Sequence, residues 1–464
     1  TPLYSSAASD VYKRQVRTVA SSVSPSPAVK AGSGDQTSYG LVRDGSLRDF
    51  YFPLILLLAP IQSVLLLPVQ GTTPAAILTL LAPVMLLGND PRYFRVLAFF
   101  VGFVLLYAVF LTFSLSGYII DRPEMNGLIV IREIYIFGHL KQTHITQGFY
   151  LMIALSFTYI VYQYFQESFV KFAFYGIIAL AFYGIYEFIF YAAFQTNGDF
   201  LSNRNFGDLD TASAGAGTGD FATGSILQSS NLFGSGFMRL KSLVGEPSMY
   251  ALTVTPFAIY AYGRRWWLLF GLLSFSLVLS TSSTAIIGLG VGISYLLIRQ
   301  RQEFVLYIGA FLFVSVLLYS TVDPLRSAAD TLMFEKLSSI SGTERLTTFF
   351  NHAVVVVDGN PIRALFGLGF GSVRSTDMAS NLLANVGILG FLLYSIAILA
   401  PCLLLAPGPD RDAIIATLLA IYFMEMLTVS EYAYLPPWFM VALGFARVRQ
   451  QRIMAYDNHS RNRQ

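Results

Sequence analysis

Residues 94–117 read FRVLAFFVGFVLLYAVFLTFSLSG, and Arg95 carries the only charge in this run. An α-helix of about 20 apolar residues crosses the hydrocarbon core of a bilayer, so the stretch predicts a membrane span. Apolar runs of about 17 to 25 residues recur from Asp49 to the C-terminus. Of the 464 residues, 55% are hydrophobic and only 12% are charged, whereas ordinary soluble domains carry about 25% charged residues. The chain is therefore predicted to be a polytopic membrane protein.

The predicted fold class is all-α, a polytopic transmembrane helix bundle of about 12 spans. The predicted helices cover residues 50–69, 73–88, 94–117, 147–166, 169–195, 247–262, 266–280, 283–299, 303–320, 382–406, 412–429 and 434–448. Gly288 and Gly292 form a GxxxG face inside one of them, which favours close packing of two helices. The short, charged segment GLIVIREIYIFG at 127–138 is predicted to lie on the outer surface or to re-enter the membrane there. If it spanned instead, every later loop would change sides.

The distribution of Lys and Arg predicts the orientation, because the inner loops of membrane proteins carry more of them. With the N-terminus inside, 19 of the 30 Lys and Arg fall in inner segments, among them the tight turns at 264–265 and 299–301. The predicted topology is N-in and C-in. Two large loops, at 196–246 and 321–381, then face the outside, which in a bacterium is the periplasm.

Three regions differ in composition. Residues 1–48 are polar and rich in Ser, Ala and Gly, which predicts a disordered cytoplasmic tail. Its first residues, TPLYSSAASDVYKRQ, read as a sequencing scar and are excluded from the fold prediction. Residues 49–448 are predicted to form the transmembrane domain, and residues 449–464 a basic cytoplasmic tail.

The second outer loop is predicted to be partly helical, over residues 324–357. Thr343 is the predicted N-cap of the helix TERLTTFFNHAVVVV, which should end at the DGNP turn. Arg345, Phe349 and His352 would share one face of this helix, since they follow spacings of 4 and 3. His352 on that face either packs or contributes to a site.

Six cations lie in or at the ends of the two outer loops, on the side where positive charge is depleted. They are Arg204, Arg239, Lys241, Arg345, Arg363 and Arg374. Each alone is explained equally well as a solvated loop charge or a headgroup anchor. As a set they predict an anion-binding surface, because guanidinium groups meet phosphate oxygens with paired hydrogen bonds and keep their charge.

Metal chemistry is not expected from the sequence. The 4 histidines show no HExxH pattern, and the single cysteine, Cys402, lies in an apolar run, so no metal site and no cofactor are predicted. Glu187, Glu425 and Glu431 lie within or near predicted spans. Carboxylates at such positions are candidates for function, and pairing with an outer-loop arginine is the simpler alternative.

Three motifs resemble a known family. Arg239 followed by GEPSMYA at 245–251 is similar to the Arg…EPS…A element of bacterial O-antigen and exopolysaccharide polymerases. LSTSSTAIIGLG at 279–290 is similar to a Ser/Thr-rich turn between two of their later helices. Arg345 with NPIRALFGLGFGSVRSTDMASNLLANVGILGF at 360–391 is similar to their periplasmic helix carrying Arg, followed by a GxGxG turn, an Asn and a Gly-Ile-x-Gly helix start.

Two departures from the family patterns bear on the function. The superfamily includes O-antigen ligases, in which a His commonly precedes that Asn, whereas this chain has Ser380-Asn381 and so lacks the ligase hallmark. The Ser/Thr-rich turn also lacks the Arg that often follows its Ser, because Ser282 is followed by Ser283 and Thr284.

The resemblance implies a GT-C-like glycosyltransferase of the bacterial inner membrane whose active site faces the periplasm. It would join undecaprenyl-pyrophosphate-linked repeat units into O-antigen or exopolysaccharide, with the lipid pyrophosphate as leaving group and without a metal. The implied partners are the lipid-linked donor and acceptor, the bilayer, a chain-length regulator and a flippase, and no nucleic acid. An O-antigen ligase, a lipid-linked oligosaccharide flippase or other transporter, and a non-catalytic assembly protein stay open as alternatives.

Under this resemblance, the catalytic residues would be Glu246, Arg239 and Arg345. Glu246 would act as the base that takes the acceptor proton, with His352 as the fallback, while Arg239, Lys241 and Arg345 would hold the pyrophosphate. The substrate-binding residues would be Lys241, Arg204, His352, Arg363, Arg374 and Asn381.

Overall fold

A computed structural model describes residues 47–67, 71–85, 92–122, 125, 127–131, 134–204, 229–232, 235–301, 303–321 and 340–461. These residues are mostly helical, with a few short strands. Within them, five helices are long and apolar enough to cross a membrane: Arg92–Ile120, Gln142–Tyr164, Glu167–Phe194, Ser283–Gln300 and Met378–Leu404. An all-α membrane protein is thereby confirmed, while the count of about 12 spans and the orientation stay predictions.

In chain order the helices are α1 (Leu47–Leu58), α2 (Pro74–Met85), α3 (Arg92–Ile120), α4 (Gln142–Tyr164), α5 (Glu167–Phe194), α6 (Pro247–Gly263), α7 (Trp267–Ser280), α8 (Ser283–Gln300), α9 (Phe304–Thr321), α10 (Ile340–Val357), α11 (Pro361–Phe366), α12 (Met378–Leu404), α13 (Arg411–Thr428) and α14 (Leu435–Arg461). Each of the twelve predicted ranges overlaps one of them. The first, predicted for 50–69, ends early at Leu58, because Pro60 disfavours helical backbone at the residue before it.

The strands are β1 (Ile129–Val130), β2 (Tyr135–Phe137), β3 (Leu140–Lys141), β4 (Ser229–Leu232), β5 (Ser235–Met238) and β6 (Val373–Arg374). All three pairings, β1 with β6, β2 with β3 and β4 with β5, are antiparallel. The predicted segment 127–138 therefore contains the strands Ile129–Val130 and Tyr135–Phe137, and β1 ties it to the second predicted outer loop.

The helix of that loop, α10, begins at Ile340, three residues before the predicted start. Thr343 lies inside it, so the prediction of Thr343 as N-cap was wrong, because Gly342 adopts helical backbone instead of interrupting the helix. The helix ends at Val357, at the predicted DGNP turn. Asn360 then caps α11 by accepting a hydrogen bond of 2.9 Å from the backbone N–H of Arg363.

The core is built around α6, in which every residue from Tyr250 to Ala261 is buried. It packs against α7, α8, α13 and α14, which explains why its sequence is apolar on all sides. The predicted GxxxG face of α8 makes the close approach that its glycines allow. A Cβ on Gly292 would come within 2.5 Å of Ile259, and one on Gly288 would overlap Met424.

A chain of ion pairs joins the turn after α6 to the neighbouring helices. Arg264 pairs with Asp410, Asp410 accepts from Arg447 at 2.7 Å, and Arg447 also pairs with Glu167. All four residues belong to turns or helix ends that the sequence places on the inner side. Their contacts are compatible with the predicted topology, which stays a prediction.

Candidate functional site

A cavity of about 420 Å³ lies at the other end of α6, where Met249 in the first turn of this helix forms part of its wall. This volume falls within the range of about 300 to 1,000 Å³ that is typical of small-molecule sites. Polar and aromatic side chains from distant parts of the chain meet there. They include Gln62, Gln147, Tyr150, Arg204, Arg374, Asn381, Asn385, Ser430, Glu431, Tyr432 and Tyr434.

Arg204 reaches the cavity from the start of the first predicted outer loop. The backbone N–H groups of Asn203 and Arg204 both donate to the Ser63 carbonyl, at 3.1 and 3.0 Å. The Asn203 side chain bonds both backbone groups of Leu65, at 2.6 and 2.9 Å. Arg204 Nη1 donates to the Gln62 carbonyl at 3.3 Å, so the guanidinium is fixed against the segment before α2.

Arg374 reaches the cavity from β6, which follows the glycine-rich turn GLGFG. Gly367, Gly369 and Gly371 have φ values of 71°, 103° and 90°, a region that side chains with a Cβ rarely adopt. A Cβ on Gly371 would also lie 2.8 Å from the Thr143 carbonyl and from Gln147 Cγ. Only glycine lets the turn pass this close to α4 and deliver the next residues to the cavity wall.

Asn385 holds the end of this turn from inside α12. Its Oδ1 accepts the backbone N–H groups of Ser372 and Val373 at 2.9 and 3.0 Å. Its Nδ2 donates to the Val373 carbonyl at 2.9 Å and to Asn381 Oδ1 at 2.8 Å. One buried amide therefore sets both the strand that carries Arg374 and the side chain of Asn381.

Glu431 lies in the non-helical segment 429–434 between α13 and α14, and its Oε1 accepts the Ala433 N–H at 2.8 Å. Burial raises the pKa of Glu431, whereas the charges of Arg204 and Arg374 lower it and the charge of Glu246 raises it further. The net shift of the pKa is upward. Arg204, Arg374 and Glu431 line the same cavity, which gives it two cations and a proton-exchanging group.

Tyrosines and a glutamine surround Glu431. Tyr432 donates its hydroxyl to Gln147 Oε1, and Tyr434 donates to the Val244 carbonyl at 3.2 Å. Trp438 Nε1 donates to the Tyr432 carbonyl at 2.6 Å, which anchors the segment to α14. The rings and amides of the wall can face the apolar and hydroxyl surfaces of a sugar.

Three of the predicted substrate-binding residues, Arg204, Arg374 and Asn381, thus line one cavity. The structure places Lys241 elsewhere, in a fully buried ion pair. Its Nζ lies 3.0 Å from Asp199 Oδ2 and 3.3 Å from Glu187 Oε1. Burial raises the pKa of Asp199, but Lys241 and the hydrogen bonds of Ser202 outweigh it and hold the pKa below its usual range. Because two carboxylates already neutralise Lys241, it does not serve as a pyrophosphate contact in this arrangement.

Arg363 is also a buried packing residue. Its Nη1 donates to the Asp121 carbonyl at 2.8 Å and pairs with Asp121 Oδ2 at 3.1 Å, while its Nε donates to the Val355 carbonyl at 3.2 Å. These bonds fasten α10 and α11 to the end of α3. The residue does not line the cavity.

Two of the predicted catalytic residues, Arg239 and Glu246, do not line the cavity. Arg239 Nε donates to the Ser280 carbonyl and to Thr281 Oγ1, at 3.2 and 3.1 Å, at the end of α7. Glu246 is the N-cap residue of α6 and accepts from Ser248 Oγ at 2.7 Å. Arg345 belongs to α10, and its side chain falls outside the described part of the chain. The predicted convergence of Arg239, Lys241 and Arg345 therefore stays a prediction.

His352, the fallback base, lies behind Arg374. Its Nδ1 is 2.6 Å from the Thr348 carbonyl and its Nε2 is 3.0 Å from the Arg374 carbonyl. Burial lowers its pKa, while both carbonyl contacts and the charge of Asp377 act in the opposite direction. With both ring nitrogens occupied by backbone, His352 links α10 to β6 rather than facing a ligand.

The cavity contains groups that the sequence did not single out for the site. Glu431 was named as a candidate for function or for pairing with an outer-loop arginine but was not among the predicted site residues. The other polar and aromatic residues of SEYAY at 430–434 were not predicted to contribute. The sequence signal that could have indicated this part of the site is a short run of polar and aromatic residues between two apolar helices.

No group of three or more His, Cys, Asp or Glu in the described ranges comes together in a way that could hold a metal ion. No family model matches the sequence, and no curated protein matches it.

Proposed function

We propose that this protein is a membrane glycosyltransferase that joins undecaprenyl-pyrophosphate-linked oligosaccharides into O-antigen or exopolysaccharide, and that the cavity is its active site. The observation that carries the proposal is the meeting of Arg204, Arg374 and Glu431 in one cavity. The family resemblance of Arg239–GEPSMYA, the Ser/Thr-rich turn and the glycine-rich stretch supports the same assignment.

The chemistry of glycosyl transfer matches this set of groups. The bond between the anomeric carbon of the donor and the pyrophosphate oxygen breaks, and a bond from the acceptor hydroxyl oxygen to that carbon forms. Arg204 and Arg374 stabilise the negative charge that remains on the departing pyrophosphate. Glu431 accepts the hydroxyl proton, a role for which a raised pKa is suited, because a stronger base near neutral pH removes a proton more readily.

Other predicted residues keep supporting roles in the proposal. Asn381 faces the cavity and contributes hydrogen bonds to the sugar. Arg345 remains a proposed pyrophosphate contact, since α10 packs against α12 and its His352 touches the Arg374 carbonyl. Glu246 acts on Glu431 by its charge. The lipid tail of the donor would lie between helices, in the bilayer.

The proposed location is the bacterial inner membrane with the cavity at the periplasmic face. Most wall residues come from an outer loop or an outer helix end in the predicted topology, with Gln62 and Ile153 deeper in predicted spans. The ion pairs of Arg264, Asp410, Arg447 and Glu167 join predicted inner ends. A flippase that delivers lipid-linked units and a chain-length regulator are the partners that such an enzyme would need.

The proposal is tested with purified protein in vesicles supplied with lipid-linked repeat units from its source organism. The wild type should produce a ladder of chain lengths, and Arg204→Ala or Arg374→Ala should lower the rate of its formation by a factor of about 10² to 10³. Arg299→Ala is the matched control, because Arg299 pairs with Asp412 in an exposed contact away from the cavity. Transfer of finished chains to another lipid would identify a ligase, and movement of units without joining them a transporter.

A further inference from the structure

Two different sets of hydrogen bonds hold the two arginines of the cavity, and the proposed mechanism assigns neither set a role. We infer that Lys241 and Asn385 are positioning residues, each of which fixes one of the two arginines through its own buried hydrogen-bonded framework. The functional role of these residues rests on the proposed function, whereas the two frameworks rest on the contacts described next.

The first framework connects Lys241 to Arg204. Lys241 Nζ binds Asp199 Oδ2 at 3.0 Å, and Asp199 Oδ1 accepts the backbone N–H groups of Leu201 and Ser202 at 3.2 and 3.0 Å. The lysine therefore anchors the turn that leads into Arg204.

The same lysine also anchors the surface against which Arg204 rests. Lys241 directly precedes the short 3₁₀ helix Ser242–Val244, whose Leu243 carbonyl accepts the N–H groups of Gln62 and Ser63 at 2.9 Å each. Ser63 in turn accepts the Arg204 N–H through its carbonyl, and its hydroxyl bonds that of Ser202 at 2.6 Å. The buried ion pair thus fastens both segments that position Arg204.

The second framework connects Asn385 to Arg374 and shares no residue with the first. Asn385 is 1% exposed, and its amide bonds Ser372, Val373 and Asn381. The next residue, Arg374, lies opposite Ile129 in the pairing of β6 with β1. Loss of the amide would remove three of the bonds that hold the end of the turn just before Arg374.

This organisation explains the position of Lys241 next to a site that it does not enter. Removing one partner from a buried ion pair leaves an unpaired charge in the interior, which is strongly destabilising. Such a pair is a rigid anchor, because any movement of the turn at Asp199 would separate its carboxylate from Lys241 and leave buried charge unpaired. Arg204 is then held ready for its ligand and loses little freedom on binding.

Glu431 provides a readout that needs no substrate, because both arginines act on its proton affinity. The protonated carboxyl of Glu431 has an infrared carbonyl band, identified by its loss in Glu431→Gln, whose pH titration is measured in the full-length protein. Weaker positioning of either arginine should move this titration to higher pH. The expected shift is smaller than the shift that Arg204→Ala or Arg374→Ala itself causes.

The decisive comparison is a pair of double-mutant cycles. They separate an effect on the Glu431 titration that passes through an arginine from one that acts on Glu431 directly. Asn203→Ala and Lys241→Met should shift the titration in the wild type and in Arg374→Ala. In Arg204→Ala, Asn203→Ala should have no effect and Lys241→Met only the smaller effect of its lost charge. Asn385→Leu should show the reverse pattern, with its shift lost in Arg374→Ala and kept in Arg204→Ala.

Controls cover folding and general loosening. Lys241→Arg keeps the charge and should restore most of the wild-type titration. Gln451→Ala matches Asn203→Ala, since Gln451 also bonds both backbone groups of one residue, Ala406, away from the cavity, and it should shift nothing. If Lys241→Met does not fold, Ser202→Ala tests the first framework, because it removes the bond between the Ser202 and Ser63 hydroxyls; its shift should be kept in Arg374→Ala and lost in Arg204→Ala.

Two results would overturn the inference. One is an absence of any shift in Asn203→Ala and Asn385→Leu, and the other is equal coupling of both variants to both arginines, which indicates a general loosening. Neither result depends on polymerisation. A wild type that makes no ladder but shows the two separate couplings would remove the proposed function and leave the two frameworks in place.

Discussion

Glu431 is the residue on which the proposed chemistry depends most. Burial favours the protonated form of its carboxyl, while the charges of Arg204 and Arg374 favour the ionised form. Ligand phosphates that pair with the arginines would weaken the second effect. Binding of a pyrophosphate should therefore increase the proton affinity of Glu431 at the moment when a proton must be accepted.

The pH dependence of turnover follows from this balance. The raised pKa of Glu431 means that the active, ionised base is lost when the pH falls through that pKa, so turnover should rise with pH across this range. Arg204→Ala removes a charge that lowers the pKa, so residual turnover of this variant should need a higher pH. A pH profile of initial rates measures both. An unchanged acidic limb in Arg204→Ala would contradict the assignment of Glu431 as base.

Comparison of two carboxylates tests which one is the base. Glu431→Gln should lower turnover by a factor of about 10² to 10⁴, since it preserves shape and removes proton acceptance. Glu246→Gln should cost much less, because Glu246 caps α6, bonds Ser248 and does not line the cavity. Glu303→Gln is the control, because Glu303 is an exposed residue before α9. A larger loss in Glu246→Gln than in Glu431→Gln would restore Glu246 as the base.

Replacement of Arg374 separates charge from geometry. A fixed donor aimed at developing charge contributes about 10² to 10³ in turnover, and Arg374→Ala should lose that much. Arg374→Lys should recover only part, since an ammonium keeps the charge but lacks the paired donors of a guanidinium. Full activity in Arg374→Lys would show that only charge matters at this position. Full activity in Arg374→Ala would remove the residue from the site.

At the level of the elements, the glycine-rich turn and the start of α12 depend on backbone that only glycine adopts easily. Gly387 has φ 63° and ψ −169° inside α12, and an added Cβ would overlap the carbonyl carbon of Leu365. Gly387→Ala should lower the thermal stability by an amount that corresponds to about 1 to 3 kcal/mol, and should disturb Arg374 as well. Gly290→Ala, where the added Cβ meets nothing within 4 Å, should be neutral or stabilising. Equal melting temperatures for the two variants would contradict the role of Gly387.

The helices could be predicted from the sequence because each apolar run is a local signal with a length set by the bilayer. The site could be predicted only in part. Arg204 and Arg374 were identified because they lie on the predicted outer side, and Asn381 because it belongs to a family motif. The partners of Lys241 could not be identified, because Glu187 and Asp199 lie 54 and 42 residues before it in the sequence. The start of α10 was misplaced for a local reason, since a single glycine does not always end a helix.

At the scale of the whole molecule, the predicted topology determines which face the cavity opens to. In a Cys402→Ala background, Leu201→Cys should react with an impermeant thiol reagent from outside, because Leu201 is exposed beside Arg204. Glu303→Cys should react only after the inner face is opened. Labelling with the opposite preference at both positions would invert the orientation and place the cavity on the cytoplasmic side.

The most direct test of the central claim is an electron cryo-microscopy structure of the protein bound to undecaprenyl pyrophosphate in a lipid nanodisc. Phosphate oxygens should lie within hydrogen-bond distance of Arg204 and Arg374, with the lipid tail leaving the cavity between helices and Glu431 beside the sugar position. A pyrophosphate bound elsewhere, with the cavity empty of ligand, would contradict the account.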